Sequence, residues 1–198
     1  MGKREYKMGI MNNTNRRINM NIIFTICGRA GSKGFKNKNL TEMNGIPLVY
    51  FTLASIVGYK NKHPEDTVSV AINTDSIPLK EMLKKQNIIK TFYIERKMEL
   101  AGDNVPKVSV IQDTYQELKD LKPDIIVDLD ITSPYRRVCD LENIINEYSK
   151  GGYDIVFSVV QARRSPYFNM VEKKPDGYYR KICNSHYTAR QQAPLSYE

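Results

Sequence analysis

Short apolar runs alternate with amphipathic segments along most of this chain. Apolar runs bounded by turn residues are typical of buried strands, whereas apolar residues spaced by three and four indicate helices. The pattern predicts a first strand at 22–27, followed by helices and strands in alternation. The remaining predicted strands are 67–73, 88–94, 124–129 and 153–160, and the predicted helices are 48–58, 76–86, 104–118 and 141–148.

Several of these predictions depend on single residues or on a short run. Gly58 is predicted to stop the first helix, and Ser76 and Asp140 are predicted to cap the second and fourth. The run 124–129 is almost wholly apolar. Such a run predicts a central strand that is covered on both faces.

The alternation predicts an α/β fold with a right-handed, mostly parallel sheet flanked by helices. Ligands of such sheets bind at the carboxyl ends of the strands. Three polar features follow predicted strands, namely the glycine-rich segment 28–38, Asp75 and the segment 130–136. We therefore expect one active site at this edge of the sheet.

The two ends of the chain depart from this pattern. Residues 1–19 are polar and lack apolar periodicity, which predicts a disordered N-terminal extension. Residues 161–198 are rich in Pro, Tyr and Arg and contain only short extended pieces. We expect a single domain over 20–198, in which 161–190 form a small extended, hairpin-like arm.

The chain has 198 residues, a net charge of +8, three cysteines and two histidines. Its sequence shows neither an apolar run long enough to span a membrane nor the pattern of a signal peptide, so we expect neither, and the scattered cysteines favour a reducing cytoplasm. Nucleic-acid binding is the competing interpretation of the positive charge. Because the basic residues cluster in the glycine-rich segment, we expect an anionic small substrate and no nucleic-acid partner.

The glycine-rich segment has the composition of a phosphate-binding loop. Glycines let the backbone approach a ligand, and backbone N–H groups with nearby cations bind phosphates. The spacing matches neither the G-x-x-x-x-G-K-[ST] loop nor the G-x-G-x-x-G fingerprint, and a solvated basic turn is the alternative. The residues concerned are Gly28, Arg29, Gly31, Lys33, Gly34, Lys36 and Lys38.

Asp128 and Asp130 end the fourth predicted strand, where carboxylates suit Mg²⁺ bound together with substrate phosphates. Asp128 is alternatively a structural carboxylate, and Asp75 either caps a helix or contacts a ligand. Thr132 and Ser133 either line the pocket or form a turn. Since the sequence contains no nucleophile–base constellation, positioning and electrostatics remain, as in phosphoryl or nucleotidyl transfer.

Several short motifs occur in a fixed order along the chain. The series begins with Cys-Gly-Arg-Ala-Gly-Ser-Lys-Gly at 27–34 and closely resembles the acylneuraminate cytidylyltransferases, also called CMP-sialic acid synthetases. The later matching segments are 38–40, 45–48, 73–75, 95–96, 99–103, 130–136, 154–159, 166–169 and 190–191.

The resemblance implies a Rossmann-like nucleotidyltransferase fold, CTP and a nonulosonic (sialic-acid-like) sugar acid as substrates, Mg²⁺ as cofactor, and a homodimer joined by the arm. Lys38, Arg29 and Lys33 are implied as catalytic, and Asp130 as a metal ligand. The implied nucleotide-binding residues are Gly28, Arg29, Gly31, Ser32, Lys33, Lys38, Asn39 and Arg96. The implied substrate-binding residues are Asp130, Thr132, Ser133, Arg190 and Gln191.

The chain departs from the family pattern in three ways. Asp130 stands where sialic-acid members commonly carry Gln, and Pro106 and Lys107 replace small hydroxyl residues. Family members continue past the position of Glu198 into an acidic motif, where we expect the remaining metal ligands. The alternatives are a nucleotidyltransferase for another sugar, such as 3-deoxy-manno-octulosonate or a sugar 1-phosphate, and a nucleotide-binding module without catalysis.

Overall fold

The computed structural model describes residues 19–31 and 37–198. Ser32, Lys33 and all of the predicted extension except Asn19 lie outside the described residues. The chain divides into two compact units between Glu142 and Asn143, and each unit is described by itself.

The observed elements alternate as the pattern predicts. In chain order they are β1 (Asn21–Cys27), β2 (Glu42–Met43), β3 (Ile46–Pro47), α1 (Leu48–Lys62), β4 (Thr67–Thr74), α2 (Ile77–Lys84), β5 (Thr91–Glu95), α3 (Lys107–Leu118), β6 (Ile125–Asp128), α4 (Val138–Ser149), β7 (Val171–Lys173) and β8 (Tyr179–Lys181).

A four-stranded parallel sheet organises the first unit, with the strand order β5-β4-β1-β6. The predicted α/β class and parallel sheet are confirmed. Strands β1 and β4 occupy the middle, and nearly all their residues are buried, as expected for parallel strands that are covered on both faces. The short strands β2 and β3 pair antiparallel.

Two strand predictions were wrong. The strand at 124–129 is not central, because β6 pairs only with β1 and forms one edge of the described sheet. Residues 153–160 form no strand among the described residues, and Ile155 and Phe157 are 67% and 73% exposed. An apolar run predicts a strand, but which neighbours pair with it depends on the rest of the fold.

Three predicted helix boundary residues can be compared with the observed helices. Ser76 caps α2 as predicted, accepting a hydrogen bond from Leu79 N at 3.4 Å. Gly58 does not stop α1, since the helix continues to Lys62. A Cβ atom at Gly58 would lie 2.7 Å from Val138 Cγ2, so this glycine permits close packing. Asp140 lies inside α4 and accepts from Arg137 N at 2.9 Å.

The second unit contains the predicted hairpin. Strands β7 and β8 pair antiparallel, and Gly177 turns the chain between them with a φ of +85°. Glu198 also pairs with the segment that precedes the hairpin, since Val160 and Glu198 exchange two backbone hydrogen bonds of 2.9 Å. None of the described helices combines the length and apolar content that a membrane-spanning helix needs.

A buried carboxylate fixes the amino end of the sheet. Asp66 precedes β4 and is 5% exposed, and its Oδ2 accepts a 2.8 Å hydrogen bond from the Tyr59 hydroxyl of α1. Its Oδ1 accepts from Met20 N at 3.1 Å, immediately before β1. One side chain thus connects α1 with the starts of the two central strands.

We expect Tyr59→Phe to lower the free energy of unfolding by about 1.5–3 kcal/mol, because it removes a hydrogen bond to a buried charged group. The matched control is Tyr50→Phe, since the Tyr50 hydroxyl donates to a neutral acceptor, Met82 O, at 3.0 Å. The control should lose about 1 kcal/mol. Urea unfolding measures both variants, and equal losses would contradict the importance of Asp66.

Candidate active site

A cleft with a volume of about 240 Å³ lies at the carboxyl edge of the sheet in the first unit. It is lined by residues that follow β1, β5 and β6 and by the start of α3. The structure therefore brings six predicted site residues together. They are Arg29, Lys38, Asn39, Arg96, Asp130 and Thr132.

A second cavity of about 320 Å³ shares Arg29 and Lys38 with the cleft and is also lined by Gly31 and Asp75. The backbone leaves β1 at Gly28, where a Cβ atom would lie 2.6 Å from Leu79 Cδ2. Glycine suits this point because the loop passes close to the Leu79 side chain of α2, which a larger residue would have to displace. Gly31 has a φ of +70°, which also favours glycine.

Side-chain hydrogen bonds hold both ends of the glycine-rich loop. Asp75 Oδ1 accepts from Ala30 N at 2.8 Å, and Asn39 Nδ2 donates to Arg29 O at 3.0 Å. Ser76, not Asp75, caps α2. The Asp75 carboxylate instead binds the backbone of the loop and positions it. Asn39 is buried, so its contact with the loop backbone accounts for its place in the sequence motif.

Arg29 forms an ion pair with Asp103 across the cleft. Each side chain is 33% exposed, so the pair borders both protein and solvent. Asp103 orients the guanidinium in the structure described here. A phosphate group entering the cleft would compete with Asp103 for Arg29, because planar guanidinium groups bind both kinds of anion through paired hydrogen bonds.

Arg96 is buried at the end of β5, with 7% exposure. Its Nε donates to Asn73 Oδ1 at 3.0 Å, and its Nη2 donates to Asn73 O at 2.9 Å. The Asn73 amide in turn donates to Thr114 Oγ1 of α3 at 3.0 Å. Arg96 therefore joins the ends of β4 and β5 to α3 while its side chain lines the cleft.

Lys107 bridges the two carboxylates of the D-x-D motif. Its Nζ lies 2.5 Å from Asp128 Oδ2 and 2.5 Å from Asp130 Oδ1. The second oxygen of Asp128 accepts from Thr25 Oγ1 at 2.9 Å. Burial is the largest effect on the pKa of Lys107 and lowers it, but the hydrogen bonds and charges of both aspartates together raise this pKa above its ordinary value.

This arrangement does not fit the predicted magnesium ligation by Asp130. Magnesium binds carboxylate oxygens at about 2.0–2.1 Å, so an ion here would lie close to the ammonium group. Two unit charges about 4 Å apart repel by about 4 kcal/mol near a protein surface, and a dication would face about twice that. With Lys107 in place, the two carboxylates already share a cation.

The segment after Asp130 contributes unevenly to the cleft. Thr132 lines it, whereas Ser133 is exposed and does not belong to its described lining. Arg136 Nη2 donates to Asp130 O at 3.3 Å and so supports the backbone there. Burial lowers the pKa of Arg136, and the charges of Asp130 and Asp128 partly oppose this effect.

Cys27 lines the cleft but is poorly suited to be a nucleophile. Burial, followed by the negative charge of Asp128, raises the pKa of Cys27 to about 12. The reactive form of cysteine is the thiolate. This environment therefore disfavours a nucleophilic role for Cys27.

Arg190 and Gln191 belong to the second unit, where they form a short 3₁₀ turn. Arg190 lines a cavity of about 470 Å³ together with Arg163, Arg164 and Asn169. A cluster of guanidinium groups suits an anion such as a carboxylate. The predicted contact of Arg190 and Gln191 with the sugar acid stays a prediction.

Sequence reasoning did not assign three residues that organise the cleft, Asn73, Asp103 and Lys107. The available signals were an amide at the end of an apolar strand for Asn73 and a departure from the family pattern for Lys107. Asp103 lay in a matching segment but had no assigned partner. Their pairings involve distant parts of the chain, so no local pattern reports them.

Comparison with known proteins identifies a matching family. A family model described as "Cytidylyltransferase" matches residues 23–174, which include every described cleft residue. The "Post-translational flagellin modification protein B" of Campylobacter coli is 32% identical over 184 residues, covering 89% of this chain and 73% of that protein. The "CMP-N,N'-diacetyllegionaminic acid synthase" of Campylobacter jejuni subsp. jejuni is 29% identical over 181 residues, with the same two coverages.

A solved structure of CMP:2-keto-3-deoxy-manno-octonic acid synthetase complexed with CTP matches the fold with a TM-score of 0.52 and 16% identity. The match covers 71% of this chain and 51% of that chain, so this chain spans about half the length of the solved protein. At this identity the likeness shows the fold alone. It confirms the predicted nucleotidyltransferase fold.

We expect Arg96→Lys to lower the free energy of unfolding by about 1–3 kcal/mol, because a lysine cannot donate to both Asn73 oxygens as the guanidinium does. The matched control is Arg137→Lys, since Arg137 binds Asp140 with similar geometry but is exposed. The control should unfold like the unaltered protein in urea. Unchanged stability of Arg96→Lys would show that the hydrogen bonds of Arg96 to Asn73 do not stabilise the fold.

We expect Cys27 to react with iodoacetamide at pH 8 at least ten times more slowly than Cys139, which is exposed. With a pKa of about 12, the Cys27 thiol is protonated at this pH, and its reactivity should grow only as the pH rises towards that value. Mass spectrometry of the modified peptides measures both rates. Comparable rates would mean that Cys27 exists as a thiolate near neutral pH.

Proposed function

The chain belongs to the cytidylyltransferase family, whose members are nucleotidyltransferases, and we propose that it activates a nonulosonic sugar acid: CTP + sugar acid → CMP-sugar + pyrophosphate. The observation that carries the proposal is the convergence of Arg29, Lys38 and Arg96 on one cleft at the carboxyl edge of the sheet. Three cations around one cleft suit a triphosphate.

In the proposed reaction, the anomeric hydroxyl oxygen of the sugar bonds to the α-phosphorus of CTP. The bond from this phosphorus to the bridging oxygen breaks, pyrophosphate leaves with the electron pair, and the hydroxyl proton is released. The chain contributes by positioning the reactants and by stabilising charge on the phosphates. No covalent intermediate on the protein is required, which agrees with the protonated state of Cys27.

Lys38 is the strongest candidate for contact with the reacting phosphates. It is exposed, it begins a 3₁₀ turn beside the glycine-rich loop, and it borders both cavities. Its ammonium group can therefore approach a phosphate in either cavity. Arg29 provides a planar group for a neighbouring phosphate once it leaves Asp103.

The names of the relatives support a nonulosonic acid as substrate, since one of them is called a CMP-N,N'-diacetyllegionaminic acid synthase. Asp130 is also consistent with this class, because its carboxylate is 61% exposed at the cleft and accepts hydrogen bonds. Mg²⁺ belongs to the proposal through the triphosphate oxygens, its usual ligands. The homodimer and the cytoplasmic location are further parts of the same proposal.

The direct test is pyrophosphate release from CTP in the presence of Mg²⁺ and a panel of sugar acids, containing legionaminic, N-acetylneuraminic and 3-deoxy-manno-octulosonic acids. We expect release with a nonulosonic acid and none without a sugar acid. Release only with 3-deoxy-manno-octulosonic acid would replace the proposed substrate. CTP binding without release from any acid would instead indicate a nucleotide-binding module.

Lys38→Ala should lower kcat by at least about 100-fold, the loss expected when one preorganised charge contact to a transition state is removed. The control is Lys84→Ala, which removes an exposed lysine that pairs with Glu81 on α2. Pyrophosphate release and thermal melting are measured for both variants. A fall in melting temperature that matches the loss of activity would make Lys38 structural.

A further inference from the structure

We propose that Lys107 is a tethered cation that takes the place of a divalent metal ion between Asp128 and Asp130. In this chain the D-x-D motif therefore binds no metal. Asp130 instead serves as an oriented hydrogen-bond acceptor at the cleft. The last statement rests on the proposed function, whereas the absence of metal from the carboxylate pair does not.

Both aspartates of the D-x-D motif already have hydrogen-bond donors. Both oxygens of Asp128 are occupied, one by Thr25 Oγ1 and the other by Lys107 Nζ. One oxygen of Asp130 accepts from the same ammonium group. A metal ion placed between the two carboxylates would have to displace the lysine from both of them.

The position of Lys107 in its helix makes the lysine depend on the two aspartates. Lys107 is the first residue of α3, a helix of 12 residues. Cations are unfavourable near a helix N-terminus, where unpaired N–H groups create a partial positive charge. The negative charges of the two aspartates offset this unfavourable effect on Lys107. The ammonium group and the carboxylates are therefore interdependent.

The exposure of the three side chains increases from the sheet towards the cleft. Asp128 is 20% exposed, Lys107 39% and Asp130 61%, so the triad extends from the sheet towards the cleft. Lys107 fixes one oxygen of Asp130, and the carboxylate keeps its accepting capacity towards the cleft. Hydroxyl and amide N–H groups of a sugar acid are the donors that match such an acceptor.

The test measures binding of Mn²⁺ alone, without nucleotide, by the electron paramagnetic resonance signal of the free ion. The unaltered chain and Asp130→Asn should bind Mn²⁺ with the same stoichiometry and with affinities that agree within twofold. Lys107→Met should gain one Mn²⁺ site, at least ten times tighter than any site of the unaltered chain. The double variant with Lys107→Met and Asp130→Asn should lack this additional Mn²⁺ site.

The matched control is Lys84→Met, which also removes one lysine charge but leaves a single carboxylate partner, Glu81. It should bind Mn²⁺ like the unaltered chain. Circular dichroism confirms that each variant is folded. Should Lys107→Met fail to fold, the comparison of Asp130→Asn with the unaltered chain decides, because Asp130 is largely exposed.

Two results would overturn the proposal. One is weaker Mn²⁺ binding by Asp130→Asn in the otherwise unaltered chain, because the aspartate would then be a metal ligand beside Lys107. The other is a folded Lys107→Met that gains no site. Since no substrate or turnover is involved, either result can occur whether or not the chain transfers a cytidylyl group.

Discussion

The carboxyl edge of the sheet depends on a buried cation, the guanidinium group of Arg96, held by Asn73. A guanidinium group stays charged at all accessible pH values, so its burial is tolerated only with well-placed acceptors. Asn73 supplies two of them, and its backbone oxygen also accepts from Gly28 N at 3.2 Å. The same residue thus positions the cation, the start of the glycine-rich loop and, through Thr114, helix α3.

Two other cations of the cleft face carboxylates. Arg29 faces Asp103, and Lys107 faces Asp128 and Asp130. Compensation keeps a cluster of cations stable when no anion is bound. It also means that binding a triphosphate exchanges one set of partners for another, so that the affinity reflects only the difference between the two sets.

Much of the fold could be predicted from sequence, because apolar runs and helical spacing report burial directly. The strands at Asn21–Cys27 and Thr67–Thr74 and the cap at Ser76 are examples. The errors concern information that comes from elsewhere in the chain. Gly58 has the local signal of a helix stop, but its role depends on Val138, which packs against it. The run 153–160 has the pattern of a strand, but the described residues pair only one end of it.

The site shows the same division between local and distant information. That polar segments would meet at one edge followed from parallel strands alone, and the meeting of Arg29, Arg96 and Asp130 agrees with it. The D-x-D motif, however, has the same sequence whether a metal ion or an ammonium group lies between its carboxylates. The difference is made by Lys107, 23 positions before Asp130 and on another element. A pair of carboxylates therefore specifies a need for positive charge, and the surrounding fold determines which cation meets it.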